Sequence, residues 1–300
     1  MIQESCIVGV DIGGTHITAA IVERTTGAAI TSSLRRSSIT ASGTAAEIIA
    51  AWSTCIGEVT GAKTLKRLCI AMPGPFKYEE GISLMQGQNK YESLFGLNIR
   101  ELLARSLNIS PDLIYFENDA ACFLQGELWA TPFWHQPHKK TLGITLGTGL
   151  GSAICEDGKS YSADKWCHPF NDGIVEDYLC SRWFVQRWKK LADAPLDSVR
   201  QLAQLAGQGN EWALQVFEEF GVNLGNFLAE MVAAESIHSV VIGGNIAKAH
   251  LHFLPFTEEV VGRLYPTTLI TPAILGEQAF LSGAVSSWLY DAEHNNKQIL

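Results

Sequence analysis

The stretch "CIVGVDIGGTHITAAIV", from Cys6 to Val22, places an aspartate, two glycines and a threonine between two apolar runs. The flanking runs are rich in Ile, Val and Thr, whose branched side chains favour β-strands. The centre, residues 11–15, predicts a tight turn whose backbone is bare of side chains. One glycine would satisfy a turn, so two together indicate that a ligand comes close to the backbone.

Two further segments repeat this pattern. "TLGITLGTGLGSAICEDGK", residues 141–159, again joins two apolar runs through a glycine-rich turn with a threonine, and "SVVIGG", residues 239–244, ends in a third glycine pair. The first two segments indicate a weak internal repeat and therefore two related domains. Amides in such turns can bind phosphate oxygens. Any one of these turns could belong to an ordinary hairpin, but three such turns together favour phosphate binding. None of them is a P-loop, because none has the lysine that a P-loop requires.

The segments between these turns alternate between helix and strand patterns, which predicts an α/β fold. Residues 44–59 and 97–108 have helical spacing, with Thr44 as a cap of the first. Residues 27–38 predict a third strand. A long helix is predicted over residues 210–235, where Gly221 and Gly225 would allow close packing.

Bulk composition excludes several classes of protein. The 300 residues carry a net charge of −9 with scattered Lys and Arg, which argues against a nucleic-acid partner. No apolar run approaches the ~18–20 residues of a membrane span, and "MIQES" does not resemble a signal peptide, so we expect a cytoplasmic protein without membrane contact. The seven cysteines form no C-x-x-C pair and are expected to be small buried side chains in a reducing compartment.

The segment "YFENDAACF", residues 115–123, contains the most informative polar pair. Asn118 and Asp119 follow a predicted strand and precede a predicted helix, so either one could simply cap that helix. Ligands of α/β folds, however, bind at strand ends. An aspartate there could accept the proton of an attacking hydroxyl, as a kinase requires, while Asp11 helps to hold Mg²⁺.

Six segments together resemble, in order, the motifs of the ROK family of sugar kinases in the actin-like ATPase superfamily. The segments are "GVDIGGTHITAAIV", "AMPGPF", "FENDAACFLQGE", "LGITLGTGLGSAI", "VVIGGNIAKA" and "LGEQAFLSGA", and they extend from about residue 6 to residue 285. The resemblance implies an α/β fold of two actin-like (ribonuclease H-like) domains with an interdomain cleft. The expected domains are residues 1–118 and 119–285, with a C-terminal helix at about 286–300 packed on the first.

The same resemblance implies an ATP-dependent kinase that phosphorylates a hexose or hexose derivative at the 6-hydroxyl, with Mg²⁺. It assigns the phosphates to Asp11, Gly13, Gly14, Thr15, Thr145, Gly147, Thr148 and Gly149, and the adenosine to Gly243, Gly244 and Asn245. Asp119 becomes the general base, Asn118 holds a neighbouring hydroxyl, and Gly74 and Asn89 line the sugar pocket. Family habit implies a homodimer, and the sequence does not identify the sugar.

One segment departs from the family pattern. Typical members have a Gly-Glu-x-Gly-His segment and then a cysteine-rich zinc site, whereas this chain has "SADKWCHPFNDGIVEDYLCSRWF", residues 162–184. Cys167 and Cys180 lack metal-ligand spacing, so we expect no zinc. By resemblance, Asp164 and His168 replace the family glutamate and histidine, and Glu176 contacts the sugar. His168 could equally be a packed or surface histidine.

The sequence leaves three alternatives to a sugar kinase. A sugar-sensing transcriptional regulator of this family carries an N-terminal helix-turn-helix, and the first hairpin begins here at residue 6, so the sequence does not favour a regulator of this kind. A non-catalytic sugar- or nucleotide-binding regulator of the same fold is a second alternative, because the 164–180 segment is altered. An ATPase that acts on something other than a sugar is a third, but it would not explain the "MPGP" and "END" segments together.

Overall fold

The structure is a computed structural model that describes residues 5–87, 90–130 and 139–295. The chain packs into two compact units. The first comprises the described residues of Met1–His135, Gly158–Ser160 and Glu277–Leu300, and the second those of Gln136–Asp157 and Tyr161–Gly276.

Strands and helices alternate along the described residues, as the sequence pattern predicts. The strands are β1 (Ser5–Ile12), β2 (His16–Ile21), β3 (Arg35–Ser38), β4 (Thr64–Met72), β5 (Phe76–Lys77), β6 (Ile82–Ser83), β7 (Ile114–Asn118), β8 (Lys140–Leu146), β9 (Leu150–Glu156), β10 (Lys159–Ser162), β11 (Pro169–Phe170), β12 (Gly173–Ile174), β13 (Ile237–Gly243) and β14 (Leu269–Pro272). The helices are α1 (Ala45–Thr60), α2 (Ile99–Leu107), α3 (Asp119–Ala130), α4 (Val175–Tyr178), α5 (Ser181–Ala192), α6 (Val199–Gly207), α7 (Glu211–Glu235), α8 (His250–Leu264) and α9 (Gln278–Asn295).

Two five-stranded sheets have the same construction. The first has the strand order β3-β2-β1-β4-β7 and the second β10-β9-β8-β13-β14. In each, a hairpin (β1–β2 or β8–β9) is antiparallel, and two further strands follow in parallel to the hairpin's first strand. The internal repeat predicted from the two glycine-rich segments is therefore confirmed at the level of topology.

The local signals at the start of the chain are mostly confirmed. The hydroxyl of Thr44 accepts the amide of Glu47, whose carboxylate in turn accepts the Thr44 amide, so α1 begins with a capping box. The strand predicted over residues 27–38 is partly wrong, because Ala29 forms only an isolated bridge with Val22 and the regular strand β3 begins at Arg35. Ser33 donates to the carbonyl of Ile30 and accepts the amide of Ile21, and these bonds stabilise a turn before β3.

The core of the second unit forms around α7. Phe220 packs against Phe184 and Phe253, with ring centroids 4.5 Å and 5.2 Å apart. A side chain at Gly221 would overlap the carbonyl of Phe253 in α8, and one at Gly225 would lie 2.7 Å from Val260. The prediction that these glycines allow close packing is confirmed.

In the first unit, α3 and α9 pack with their backbones in contact. A Cβ on Gly126 would overlap the carbonyl of Ala279, and a Cβ on Gly283 would overlap the carbonyl of Cys122. This contact groups residues 119–130 with the first unit, together with α9. The domain boundary expected between residues 118 and 119 stays a prediction.

Six of the seven cysteines are buried, as expected, but Cys167 is exposed because it lies in a surface loop after β10. Within residues 5–87, 90–130 and 139–295, no helix has the length and apolar character needed to cross a membrane.

We expect Gly283→Ala to lower the free energy of unfolding by about 1–3 kcal/mol, because the added methyl group forces α3 and α9 apart. Gly57→Ala is the matched control: Gly57 is exposed in α1 with open space at its Cβ position, so alanine should raise stability by up to about 1 kcal/mol. Urea denaturation measures both, and equal stability of the two variants would contradict the packing described.

Candidate active site

The predicted site residues of the first unit lie at one edge of its sheet. Since β1, β4 and β7 are parallel, their carboxyl ends meet there. Asp11 pairs with Ala71, and Asn118 pairs with Met72, the last residue of β4. The sheet therefore brings together Asp11, the loop after β4 that contains Gly74, and the start of α3.

The glycine turn after β1 is closed by its own backbone. The Gly13 amide donates to the carbonyl of His16 at 2.9 Å. Nothing lies within 4 Å of the position that a Cβ on Gly14 would take, and its φ is not in the left-handed region. The fold does not require glycine at residue 14, and the close approach of a ligand there stays a prediction.

A tyrosine that the sequence analysis did not identify supports this turn. The hydroxyl of Tyr91 donates to the carbonyl of Gly13 at 2.5 Å. Tyr91 is fully buried, its ring packs edge-on against Trp52, and its backbone amide donates to Ala41. Nothing in the spacing of the sequence around residue 91 indicates this contact, which joins residues 78 positions apart.

Asn118 and Asp119 have different roles at the start of α3. Asn118 Oδ1 accepts the amide of Ala121 at 3.1 Å, so Asn118 caps the helix. Its Nδ2 donates to the hydroxyl of Tyr78 at 3.1 Å, and that hydroxyl donates to the carbonyl of Met72. The carboxylate of Asp119 accepts the amide of Ala120 at 2.8 Å. Asn118 is therefore the N-cap, and the Asp119 carboxylate bonds to the amide of the residue that follows it.

Gly74 lies next to the hydrogen-bonded pair of Asn118 and Tyr78. A Cβ on Gly74 would lie 3.4 Å from the Tyr78 hydroxyl, so Gly74, Tyr78 and Asn118 form one polar group beside the sheet edge. Burial raises the pKa of the Tyr78 hydroxyl well above its ordinary value, and the hydroxyl therefore stays protonated as a hydrogen-bond donor. Asn89, the other residue expected in the sugar pocket, lies outside the described residues.

The electrostatics of this edge centre on Asp11. Its pKa is raised from 3.8 to about 7, chiefly by burial and in addition by the charges of Asp119 and Glu277, while the charge of Arg36 opposes this shift. Arg36 also forms an ion pair with Glu277. A half-buried carboxyl group whose ionised form is destabilised by a neighbouring carboxylate gains from a bound cation.

Mg²⁺ fits this arrangement, since proteins typically bind it through one or two carboxylates together with substrate phosphates. Asp11 supplies an oxygen ligand of that kind. Among the residues the structure describes, no group of three or more His, Cys, Asp or Glu side chains is placed to hold a metal ion. The expectation that the chain has no zinc site stays a prediction.

The second unit has a corresponding edge. The β8–β9 turn is closed by a bond from the Gly147 amide to the carbonyl of Gly149 at 3.0 Å. Thr145 pairs with Gly243, so the glycine pair after β13 lies beside this turn. Gly244 has a φ of +86°, and a Cβ there would overlap the backbone of Leu146. Packing therefore explains this glycine.

Three other residues predicted to contact the phosphates or the adenosine are exposed: Thr15, Thr148 and Asn245. Thr15 and Thr148 are exposed in their turns, and the Thr15 hydroxyl contacts His16 Nδ1 at 2.9 Å. Asn245 Oδ1 accepts Lys248 Nζ at 2.8 Å.

In the altered segment after β10, the three residues predicted to bind the sugar contact three different parts of the second unit. Asp164, at φ +48°, accepts the hydroxyl of Ser162, and His168 Nε2 lies 3.5 Å from a carboxylate oxygen of Glu230 in α7. Glu176 Oε2 accepts the amide of Leu150 at 2.9 Å, which places it against the β8–β9 turn. These contacts bring Glu176 to a predicted phosphate turn and leave Asp164 and His168 with other neighbours.

Comparison with known proteins gives three relevant matches besides a family model. The N-acetyl-D-glucosamine kinase of Haemophilus influenzae is 26% identical over 207 residues, which span 58% of this chain but only 66% of that protein, just under two thirds. The glucokinase of Thermotoga maritima is 23% identical over 314 residues, 93% of this chain and 96% of that protein. A ROK family glucokinase from Streptomyces griseus, solved with glucose and AMPPNP, has a TM-score of 0.75 at 22% identity and covers 93% of this chain and 98% of that one.

The fold and the two sheet edges define a class: an α/β protein of the actin-like type with glycine turns at the carboxyl ends of its strands. The predicted fold class is confirmed. The model of the ROK family matches residues 7–290. The chain belongs to the ROK family.

The raised pKa of Asp11 makes stability depend on pH. The unfolded carboxyl group ionises near 3.8 and the folded one near 7, so the folded state binds more protons between these values and loses stability as the pH rises to 7. A shift of this size sets an upper limit of about 4 kcal/mol, at about 1.4 kcal/mol per pKa unit. Because water reaches part of the side chain, we expect roughly 1–2 kcal/mol.

Asp11→Asn should therefore raise the free energy of unfolding at pH 8 by roughly 1–2 kcal/mol, and the gain should shrink as the pH falls from 7 towards 4. Urea denaturation across this range measures it. The control is Asp193→Asn, which changes an exposed residue at the end of α5. A gain that is the same at every pH would show that Asp11 does not titrate as described.

Proposed function

We propose that this protein is an ATP-dependent kinase that transfers a phosphoryl group to the 6-hydroxyl of a hexose or hexose derivative. The observation that carries the proposal is the placement of Asp119 directly after β7, close enough to Asp11 for its charge to raise the pKa of that residue. Relatives named as N-acetyl-D-glucosamine kinase and glucokinase support it.

Asp119 is proposed as the general base. A positioned carboxylate accepts the proton of the sugar hydroxyl as its oxygen attacks the γ-phosphate. The first turn of α3 stabilises the negative charge of Asp119, because helix N-termini carry a partial positive charge. Asn118 keeps this turn in place through its cap to Ala121 and presents its side chain next to the Tyr78 hydroxyl.

The glycine turns are proposed to bind the nucleotide phosphates. The amides of Gly13 and Gly147 close their own turns, so the donors that a phosphate would use are those of the next residues, Gly14 and Thr15 in one turn and Thr148 and Gly149 in the other. Asp11 would hold Mg²⁺. When bound, that ion would neutralise the charge of the phosphate groups.

The sugar-binding residues are proposed to be Gly74 and Asn118 at the first sheet edge and Asp164 and His168 in the altered segment. Gly243, Gly244 and Asn245 are proposed to face the adenosine. The resemblance also assigns Asn89 to the sugar pocket. The expected homodimer and the cytoplasmic location stay predictions. The sugar itself is left open.

Two glycines that look alike in the sequence should respond differently to alanine. Gly14→Ala should leave the free energy of unfolding within about 0.5 kcal/mol, since nothing lies near its Cβ position. It should weaken ATP binding about tenfold or more, since a methyl group would occupy the path of the phosphate. Gly244→Ala should instead destabilise the protein by about 1–3 kcal/mol, because its φ is +86°.

Urea denaturation and calorimetric titration with Mg-ATP distinguish these results. Loss of stability in Gly14→Ala with unchanged nucleotide affinity would contradict a phosphate-binding role for the first turn.

The central test is an ADP-release assay with Mg-ATP and a panel of hexoses and N-acetylated hexosamines. Asp119→Asn should lower kcat by about 10²–10⁴-fold, because the proton acceptor is lost, while the Kd for ATP stays within about threefold. Asp193→Asn is the control, with the same chemical change at an exposed position. Sugar-dependent release identifies the substrate in the same experiment.

Two outcomes would count against the proposal. ATP binding without transfer to any sugar of the panel would favour a non-catalytic sugar- or nucleotide-binding regulator of the same fold. Full activity of Asp119→Asn would exclude Asp119 as the base.

A further inference from the structure

The side chains of Tyr78 and Asn118 form a chain of hydrogen bonds whose direction is fixed at both ends. At one end, the Asn118 side chain faces the backbone amide of Ala121 at 3.1 Å. A backbone amide can only donate, so the atom that faces it is Oδ1, and Nδ2 faces the Tyr78 hydroxyl at 3.1 Å. At the other end, that hydroxyl lies 3.1 Å from the carbonyl of Met72, which can only accept. The hydroxyl of Tyr78 therefore donates to Met72 and accepts from Asn118.

This chain of bonds leaves the Asn118 amide with one orientation. The reversed orientation would place Nδ2 against the amide of Ala121, donor against donor, and would lose the helix cap. An amide nitrogen carries two N–H donors, and Tyr78 accepts one of them. The second N–H can therefore donate to an oxygen atom of a ligand at the start of α3, next to Asp119.

Tyr78 is itself held by contacts that do not involve Asn118. Its ring centroid lies 5.3 Å from that of Phe76, which in turn lies 5.0 Å from the ring of Phe116 in β7. Its backbone carbonyl accepts the guanidinium group of Arg100, at the start of α2, at 3.1 Å. The ring and the backbone of Tyr78 are thus both fixed, so its hydroxyl is in place before a ligand binds.

An amide with two anchors differs from an amide with one. The bond to Ala121 restrains Oδ1 alone, and the side chain of Asn118 could still pivot about that atom. The bond to Tyr78 restrains Nδ2 as well, and this fixes the direction of the second N–H. A donor that is already aimed loses less conformational entropy when it binds a ligand.

We propose that Tyr78 is a positioning residue of the sugar site, which acts through Asn118. Its hydroxyl holds the Asn118 amide so that the second N–H of Nδ2 donates to a sugar hydroxyl beside the one that reacts. This inference rests on the proposed function, which assigns a sugar hydroxyl to Asn118. Spacing along the chain does not indicate the role of Tyr78, because the contact joins residues 40 positions apart.

The test is calorimetric titration of the full-length protein with D-glucose, D-mannose and N-acetyl-D-glucosamine. Tyr78→Phe keeps the ring and removes only the hydroxyl. We expect it to raise the Kd for the sugar that wild type binds best by about tenfold, because the Asn118 amide is then held at one end only. The Kd for Mg-ATP should stay within about threefold, because the glycine turn after β1 is supported by Tyr91.

A double-mutant cycle separates a positioning role from a direct contact between Tyr78 and the sugar. Asn118→Ser keeps an oxygen that can cap α3 but has no amide group to reach Tyr78. In the Asn118→Ser background, Tyr78→Phe should change the sugar Kd by no more than about twofold, because both changes act on one contact. A tenfold loss in both backgrounds would overturn the inference in favour of a direct bond from Tyr78 to the sugar.

The matched control is Tyr161→Phe, which makes the same chemical change at an exposed tyrosine of the second unit. It should leave the Kd for the sugar unchanged, and thermal unfolding checks that each variant is folded. Equal weakening of sugar and Mg-ATP binding by Tyr78→Phe would show general damage and overturn the inference. A wild-type sugar Kd in Tyr78→Phe would overturn it as well.

Failure of the inference and failure of the proposed function give different results. If wild type binds a sugar but transfers no phosphoryl group to it, the proposed function fails, while a tenfold weaker Tyr78→Phe variant still supports the inference. If wild type phosphorylates a sugar and Tyr78→Phe binds it equally well, the inference alone fails. If wild type binds none of the three sugars, both fail.

Discussion

A glycine-rich turn can bring its backbone amides to a phosphate only if something else fixes its shape. In this protein that constraint is met by side chains from distant segments. The hydroxyl of Tyr91 bonds to the carbonyl of Gly13, and Ser181 and Glu176 bond to the two ends of the β8–β9 turn. The turns are short and local, but their geometry depends on the packing of the whole unit around them.

At the first sheet edge, the parallel strands also bring acidic side chains together. Strands whose carboxyl ends meet bring Asp11 and the start of α3 together, and two carboxylates at one edge repel each other. Burial raises the pKa of Asp11, and the charges of Asp119 and Glu277 raise it as well. Such an arrangement opposes folding, and it persists because the β1–β4–β7 core and the α3–α9 contact stabilise the unit around it.

Much of the fold could be predicted because its signals are local. The apolar runs, the Thr44 cap and the glycine spacing of α7 depend on neighbouring residues, and all three predictions are confirmed. Residues 27–38 were predicted wrongly in part, because the turn at Ser33 depends on a bond to Ile21 in another strand. The sequence did not decide which of Asn118 and Asp119 caps α3, since both types of residue cap helices.

By itself, the sequence determined the two hairpins with their bare turns and the polar pair at the end of β7. Local stereochemistry suffices for these features, because a turn or a cap is decided within a few residues. Only the tertiary structure decided which glycines are needed for packing and which side chains support the turns. Tyr91 lies 78 residues from Gly13, and Glu176 lies 26 residues from Leu150. Contacts of that separation form only when the units pack, so no spacing along the chain predicts them.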